Sequence, residues 1–232
     1  MKFVERSKKA LSLDQFNTPK EPDHVFDFNT ASCPHDRQYI LRMMIREPHG
    51  VLLLPESLEW IRPMVEQADE VQRKAGIRHG FLYATVRHGI CTSETDDEWH
   101  TDGYSEIISH IPEQNYIVTS NHCTEYISMP IDFPEDFDAI KHDMVGYINI
   151  AVEKQKPEVK TAKANAVYVF DPYVIHRKPA AANGKMRTFV RLSYLPIEIY
   201  DDKCEPNPLK QNRVYNRIAR ATRDTLTPYS GQ

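Results

Sequence analysis

Three short stretches carry side chains whose types and spacing suit chemistry: Trp99 to Gly103 (WHTDG), Val169 to Arg177 (VFDPYVIHR) and Gly184 to Ser193 (GKMRTFVRLS). In extended backbone, residues two apart share a face, so His100 and Asp102 aim a ring nitrogen and a carboxylate oxygen at a common point. That geometry suits a metal. His176 ends an apolar, β-branched run, and adding it gives two imidazoles and one carboxylate. Such a facial triad leaves coordination positions open, the arrangement suited to non-haem Fe(II) and dioxygen. Eleven residues on, Arg187 begins an alternation that puts Arg187, Phe189, Arg191 and Ser193 on one strand face and Thr188, Val190, Leu192 and Tyr194 on the other. Two guanidinium groups beside Phe189 suit a pocket that holds an anion, because arginine grips a carboxylate bidentately.

Taken singly, each of these residues has a plainer account. His176 alone is read more readily as a core histidine donating to a backbone carbonyl, and the two arginines as the solvated face of an edge strand. Trp99 and Phe189 read as packing residues. Taken jointly, the order HxD, then His, then Arg within a β-rich chain favours a site.

The elements that must position these groups follow from periodicity. Met1 to Pro34 is polar and broken by Pro19, Pro22 and Pro34, and reads as an irregular arm with Phe16, Phe26 and Phe28 as anchors. Tyr39–Arg46 and Val51–Leu54 are short apolar runs, either of which can be a strand. Ser57 to Lys74 carries Ile61, Met64, Val65, Ala68 and Val71 at helical spacing, with Pro63 placing the regular part from about Arg62 and Gly76 as a stop. Phe81–His88 reads as a strand and Asn115–Met129 as a strand or strand pair. A second helical pattern runs from Phe137 to Ala151 and ends in the solvated run EKQKPEVK. Asn165 to Tyr194 then reads as two extended segments joined by a polar turn. The chain closes on a loop (CEPNPLKQN) and a short basic helix, Arg213–Arg223, read as a solvated face rather than a nucleic-acid contact.

Composition bounds the rest. The 232 residues fit one domain, with the arm at 1–34, the core at 35–200 and the closing loop and helix at 201–232. A net charge of -4 gives no global basic field for nucleic acid, so nucleic-acid binding is not indicated. Cys33, Cys91, Cys123 and Cys204 form no CxxC pair and fit a reducing cytoplasm. No apolar run has the length of a signal peptide core or a membrane span. Of the remaining histidines, His79, His88, His110, His122 and His142 have no ligand spacing.

From Phe81 to Tyr194 the chain resembles the Fe(II)/2-oxoglutarate-dependent oxygenases, on the three stretches quoted above. The resemblance implies a mainly β fold with flanking helices, built on a double-stranded β-helix, a cupin-like jelly-roll barrel. It implies His100, Asp102 and His176 as the catalytic iron ligands, with 2-oxoglutarate and dioxygen as co-substrates. It places Arg187 at the distal carboxylate of 2-oxoglutarate. Arg191 with Ser193 reproduces the RxS pair that some members use for that carboxylate, but fifteen residues after His176, where about ten is commoner. Arg187 is therefore preferred, and Arg191 is assigned to an anionic group on the substrate. Asn121 and Thr124 are further candidates to complete the co-substrate site. Asp102 stands where the iron-dependent halogenases have a small residue, which favours hydroxylation. The activity so implied is oxidative decarboxylation of 2-oxoglutarate to succinate, coupled to hydroxylation of a small polar or anionic molecule such as an amino acid. Two alternatives stay open: the same chemistry on a nucleic acid or protein side chain, and a non-catalytic cupin-type protein that binds a metal or ligand.

Overall fold

The computed structural model describes residues 11–77, 80–91, 96–103, 112–139, 141–199 and 204–210. Within them the strands are β1 (Asp23–Asp27), β2 (Gln38–Arg46), β3 (Phe81–Ile90), β4 (Gln114–Thr119), β5 (Glu125–Ile127), β6 (Val159–Thr161), β7 (Ala166–Phe170), β8 (Ile175–Arg177), β9 (Met186–Leu195) and β10 (Cys204–Glu205). The α-helices are α1 (Arg62–Lys74) and α2 (Met144–Gln155). The fold is mainly β. One sheet has seven strands in the order β1-β7-β4-β9-β3-β2-β10, and a smaller one has three in the order β6-β5-β8. All pairings are antiparallel except β10 on β2, so the large sheet is mixed. The described residues form two sheets rather than a closed barrel. No helix among them is long and apolar enough to cross a membrane.

The period of two along β9 organises the layers. Val190, Leu192 and Tyr194 join the main core with Leu82, Ala84, Val86, Tyr116, Val118, Val167 and Val169 of the neighbouring strands, and α1 covers them with Met64, Val65 and Ala68. The apolar face of α1 is therefore satisfied by the large sheet. The opposite face carries Ile117, Tyr168, Phe170 and Phe189 against Cys123, Tyr126, Ala162 and Val174, so it looks toward the smaller sheet. Beyond that, Ile127 and Ile175 point away from the large sheet into a second core with Met144 and Ile148 of α2, Trp99, and Phe16 of the N-terminal segment. The order of layers is α1, large sheet, small sheet, α2.

Several sequence expectations are met and several are corrected. The helix from Arg62 holds, with Pro63 in its first turn, where a missing N–H costs nothing, and a 3-10 turn at Glu56–Ile61 before it. Val51–Leu54 is not a strand. The arm is less irregular than its prolines imply, because β1 pairs with the edge of β7. Asn115–Met129 does divide into two strands, but β4 and β5 belong to different sheets. Likewise Asn165–Tyr194 is no simple hairpin: β7 and β9 each pair with β4, one on either side, and between them β8 crosses to the small sheet. The Asp171-Pro172 turn makes that crossing, with Asp171 Oδ1 accepting the Tyr173 N–H at 3.1 Å. The second helix starts at Met144, not Phe137, because Asp143 caps it through the Gly146 N–H. The run read as solvated, EKQKPEVK, ends as β6. The expected helix Arg213–Arg223 lies outside the described residues.

Asp69 on α1 fastens the helix to the sheet. Arg46 of β2 grips it with two bonds, at 2.5 and 2.7 Å, and the Tyr194 hydroxyl donates to it at 2.7 Å. Asp69→Ala leaves a largely buried guanidinium and a phenol without their acceptor. It is expected to lower the free energy of unfolding by about 3 kcal/mol, and Tyr194→Phe by about 1 kcal/mol. Urea denaturation of the two variants measures both losses.

Candidate metal centre

His100, Asp102 and His176 come together. One ligand atom from each lies within 4.8 Å of the others, and the group consists of these three among the described residues. Their elements explain why. Tyr126 and His176 are paired across β5 and β8 and face the large sheet, opposite to Ile127 and Ile175. His100 forms an isolated antiparallel bridge with His176, through N–H to O bonds of 3.0 and 2.9 Å in the two directions. The two imidazoles therefore stand side by side, with ring centroids 4.6 Å apart, and Phe170 of β7 packs on His176 at 4.9 Å.

The ring nitrogens are sorted by the backbone. His100 Nδ1 lies 2.7 Å from the Glu98 carbonyl and His176 Nδ1 lies 2.9 Å from the Val174 carbonyl. A carbonyl only accepts, so both Nδ1 atoms carry a proton and each ring turns its Nε2 to the interior. Burial, with the His176 ring beside it, pushes the His100 imidazolium pKa down and keeps that ring neutral. Burial would raise the Asp102 pKa, but the Arg191 guanidinium, with help from the two imidazoles, outweighs it and holds the carboxyl well below the usual carboxylate range. Two imidazoles with Nδ1 tied to the backbone and an ionised carboxylate are a donor set fitted to a divalent transition metal.

The two arginines of β9 have different fates. Arg191 donates to Asp102 Oδ2 at 2.7 Å, the same oxygen that lies 3.5 Å from His176 Nε2. Its assignment to a substrate anion is corrected accordingly: the guanidinium is held by a carboxylate of the site itself. Arg187 is buried as well, with Phe189 under its guanidinium at 5.4 Å. Among the described residues it has no carboxylate partner, its Nε has no acceptor, and burial pushes its pKa down. Arg87 of β3 is taken by Asp96 at 2.5 Å, whereas Arg187 has no such carboxylate among the described residues.

The other expected site residues are placed differently. Ser193 faces inward but donates to Asn115 Oδ1 at 2.5 Å. Thr124 is buried at the start of the small sheet, where its backbone carbonyl accepts the Ala162 N–H. Asn121 is exposed in the turn after β4 and accepts from the Ser120 hydroxyl at 3.3 Å, away from the triad. Trp99 packs in the second core and Phe189 against the inner face, both as packing residues. His88 is spent on Thr188 and His142 on the Asp138 N–H, and His122 stands in a turn with φ 41°. His79 and His110 lie outside the described residues.

Sequence reasoning missed Glu113. It is buried just before β4, and burial, with Asp102 nearby, pushes its pKa up while Arg191 and Arg42 oppose this. It lies against the turn that carries Asp102: a Cβ added to Gly103, whose φ is +84°, would meet Glu113 Oε2 at 2.2 Å. Gly103 is thus required twice, by its dihedral and by this approach. The signal for Glu113 was faint, since a lone acid in IPEQN has no partner at a regular spacing.

No family model matches the chain, and no curated protein matches it. Among solved structures it is similar to AviO1 from Streptomyces viridochromogenes Tue57, at 13% identity over 83% of this chain and 93% of that one, with a TM-score of 0.42. It is also similar to EvdMO1, at 15% identity and a TM-score of 0.36, over 77% of this chain and 40% of that one. At these distances neither likeness carries an argument about function.

Arg191→Met leaves Asp102 and Glu113 facing each other without their shared cation. The metal-free variant is expected to be about 3 kcal/mol less stable than the parent near neutrality. Asp102 has a depressed pKa in the fold, so the stability drawn from its pairing is full above the unfolded value of 3.8 and is lost as pH falls through the folded value. The deficit of the variant therefore narrows below about pH 4, as urea midpoints measured against pH in the presence of chelator will show.

Proposed function

We propose that the chain is an Fe(II)- and 2-oxoglutarate-dependent dioxygenase that hydroxylates its substrate, on a double-stranded β-helix core of which the two facing sheets are the major and minor halves. The observation that carries this reading is the His100–Asp102–His176 triad, tied through Asp102 to Arg191, with Arg187 four residues along the same face of the central strand, buried and without a carboxylate partner among the described residues. A triad alone also suits a metal-binding protein without turnover. A buried guanidinium on the same strand face, with no carboxylate partner among the described residues, suits a co-substrate with a carboxylate at its far end.

Bound ferrous iron, 2-oxoglutarate and dioxygen supply the oxidative decarboxylation to succinate and the coupled hydroxylation. The protein's own contribution is positional and electrostatic. His100 and His176 present Nε2 lone pairs because their Nδ1 protons are tied to backbone carbonyls. Asp102 is held ionised and aimed by Arg191. Arg187 offers two parallel N–H donors to a carboxylate, over the face of Phe189. Phe170, Ile117 and Tyr168 line the same interior and exclude water. Arg191, which Asp102 already occupies, carries no information about the substrate.

Anaerobic addition of Fe(II) and 2-oxoglutarate is expected to give a visible metal-to-ligand charge-transfer band, and His176→Ala to abolish it. In air the protein is expected to release succinate from 2-oxoglutarate. Arg187→Gln is expected to raise the KM for 2-oxoglutarate by about 10- to 100-fold, the loss of one charge-assisted bidentate pair. A protein that shows neither the band nor succinate with any candidate substrate is not this enzyme.

A further inference from the structure

The segment Asp96–Gly103 brings two of the three metal ligands to the site, yet it is not part of either sheet. Its inner edge is tied by the bridge between His100 and His176. In extended backbone the polar groups of successive residues point to opposite edges, so those of Trp99 point away from β8. On that side stands α2. The Trp99 N–H donates to Asn149 Oδ1 at 3.1 Å, and Asn149 Nδ2 donates to the Trp99 carbonyl at 2.8 Å. A primary amide offers the same donor and acceptor as a peptide group, so one side chain does the work of a neighbouring strand.

We propose that Asn149 is a positioning residue for the metal ligands, setting the ring orientation and tautomer of His100 through the Glu98–Trp99 peptide. The Trp99 N–H and the Glu98 carbonyl belong to that single planar group. Asn149 holds its N–H, and its carbonyl holds His100 Nδ1 at 2.7 Å. Rotating the peptide breaks both bonds at once. The helix that carries Asn149 is itself fixed: Met144 and Ile148 are buried with Trp99 in one core, and Asp143 caps the first turn. Arg177, paired with Glu125 at 2.7 Å, lies over the Trp99 ring at 4.2 Å and closes the remaining side. An asparagine is a poor choice for a helix interior, since its amide competes for backbone partners. Here Nδ2 is shared with the Val145 carbonyl at 2.8 Å, and the rest of the amide goes to Trp99.

The inference rests on the metal-site reading above for its functional meaning, but one of its observables needs no metal. In apo protein labelled with ¹⁵N at histidine, the parent is expected to show His100 protonated on Nδ1. Asn149→Ala is expected to show a tautomer mixture and to bind Co(II), used as a visible probe, about 10- to 100-fold more weakly with an altered ligand-field spectrum. Asn149→Asp keeps an acceptor for the Trp99 N–H and is expected to keep the Nδ1 tautomer, which serves if the alanine variant does not fold. Ile148→Ala, which loosens the same helix and core but removes neither of the Asn149 bonds to Trp99, is expected to lower the unfolding midpoint while leaving the tautomer unchanged and Co(II) affinity within about threefold. An unchanged tautomer in Asn149→Ala, a lost one in Asn149→Asp, or equal loss of Co(II) in Ile148→Ala overturns the inference. A parent that binds no Co(II) defeats the dioxygenase reading instead, and the tautomer then decides the role of Asn149 alone.

Discussion

A carboxylate taken out of water between two imidazoles needs a cation within bonding distance, and Arg191 is that cation for Asp102. Much of the interior follows from this one pair. Because Arg191 sits at the middle of β9, in register with Thr85 of β3 and Ile117 of β4, the ion pair ties the turn carrying Asp102 to the centre of the large sheet. Because the guanidinium is buried, it draws in a second acid, Glu113, which in turn leaves room only for glycine at 103. The ligand pair His100 and Asp102 is thus held from two sides, by β8 through the backbone and by β9 through charge.

The site was more legible than the topology. HxD, a distal histidine and the alternation along β9 are local patterns, and a period of two survives whatever the strands later pair with. That is why Val190, Leu192 and Tyr194 face α1 while Arg187, Phe189 and Arg191 face the interior, as the spacing required. Pairing partners are not local. The segments β7 and β9 read as arms of one turn, but β4, some fifty residues earlier in the chain, lies between them. Nothing in the sequence of β4 announces that it separates two later strands.

Arg191, Ser193, Asn149 and Glu113 share one physical feature: the groups that occupy or crowd them are distant in the chain. Arg191 and Ser193 look like a ready-made anion clamp until Asp102 and Asn115 are brought to them by the fold. Asn149 and Glu113 look like ordinary polar positions until Trp99 and Gly103 are seen against them. A motif identifies a group that has bonding capacity. Only packing shows whether that capacity is already spent.

Arg187 is the counterexample, and the contrast with Arg191 gives it meaning. They lie on the same face of one strand, four residues apart, Arg187 buried and Arg191 partly so, and both carry an Nε without an acceptor among the described residues. Arg191 recovers its desolvation cost through Asp102 and Glu113, so its pKa rises above the ordinary value despite burial. Arg187 recovers little, lying against Phe189, near the thiols of Cys91 and Cys123 and within the field of Arg87, and its pKa falls. An uncompensated buried charge of this kind lowers the stability of the free protein and returns that free energy to whatever anion reaches it. Within the described residues the fold pairs one arginine internally and leaves its neighbour on the strand without a carboxylate, so only the second has bonding capacity left for an anion from outside.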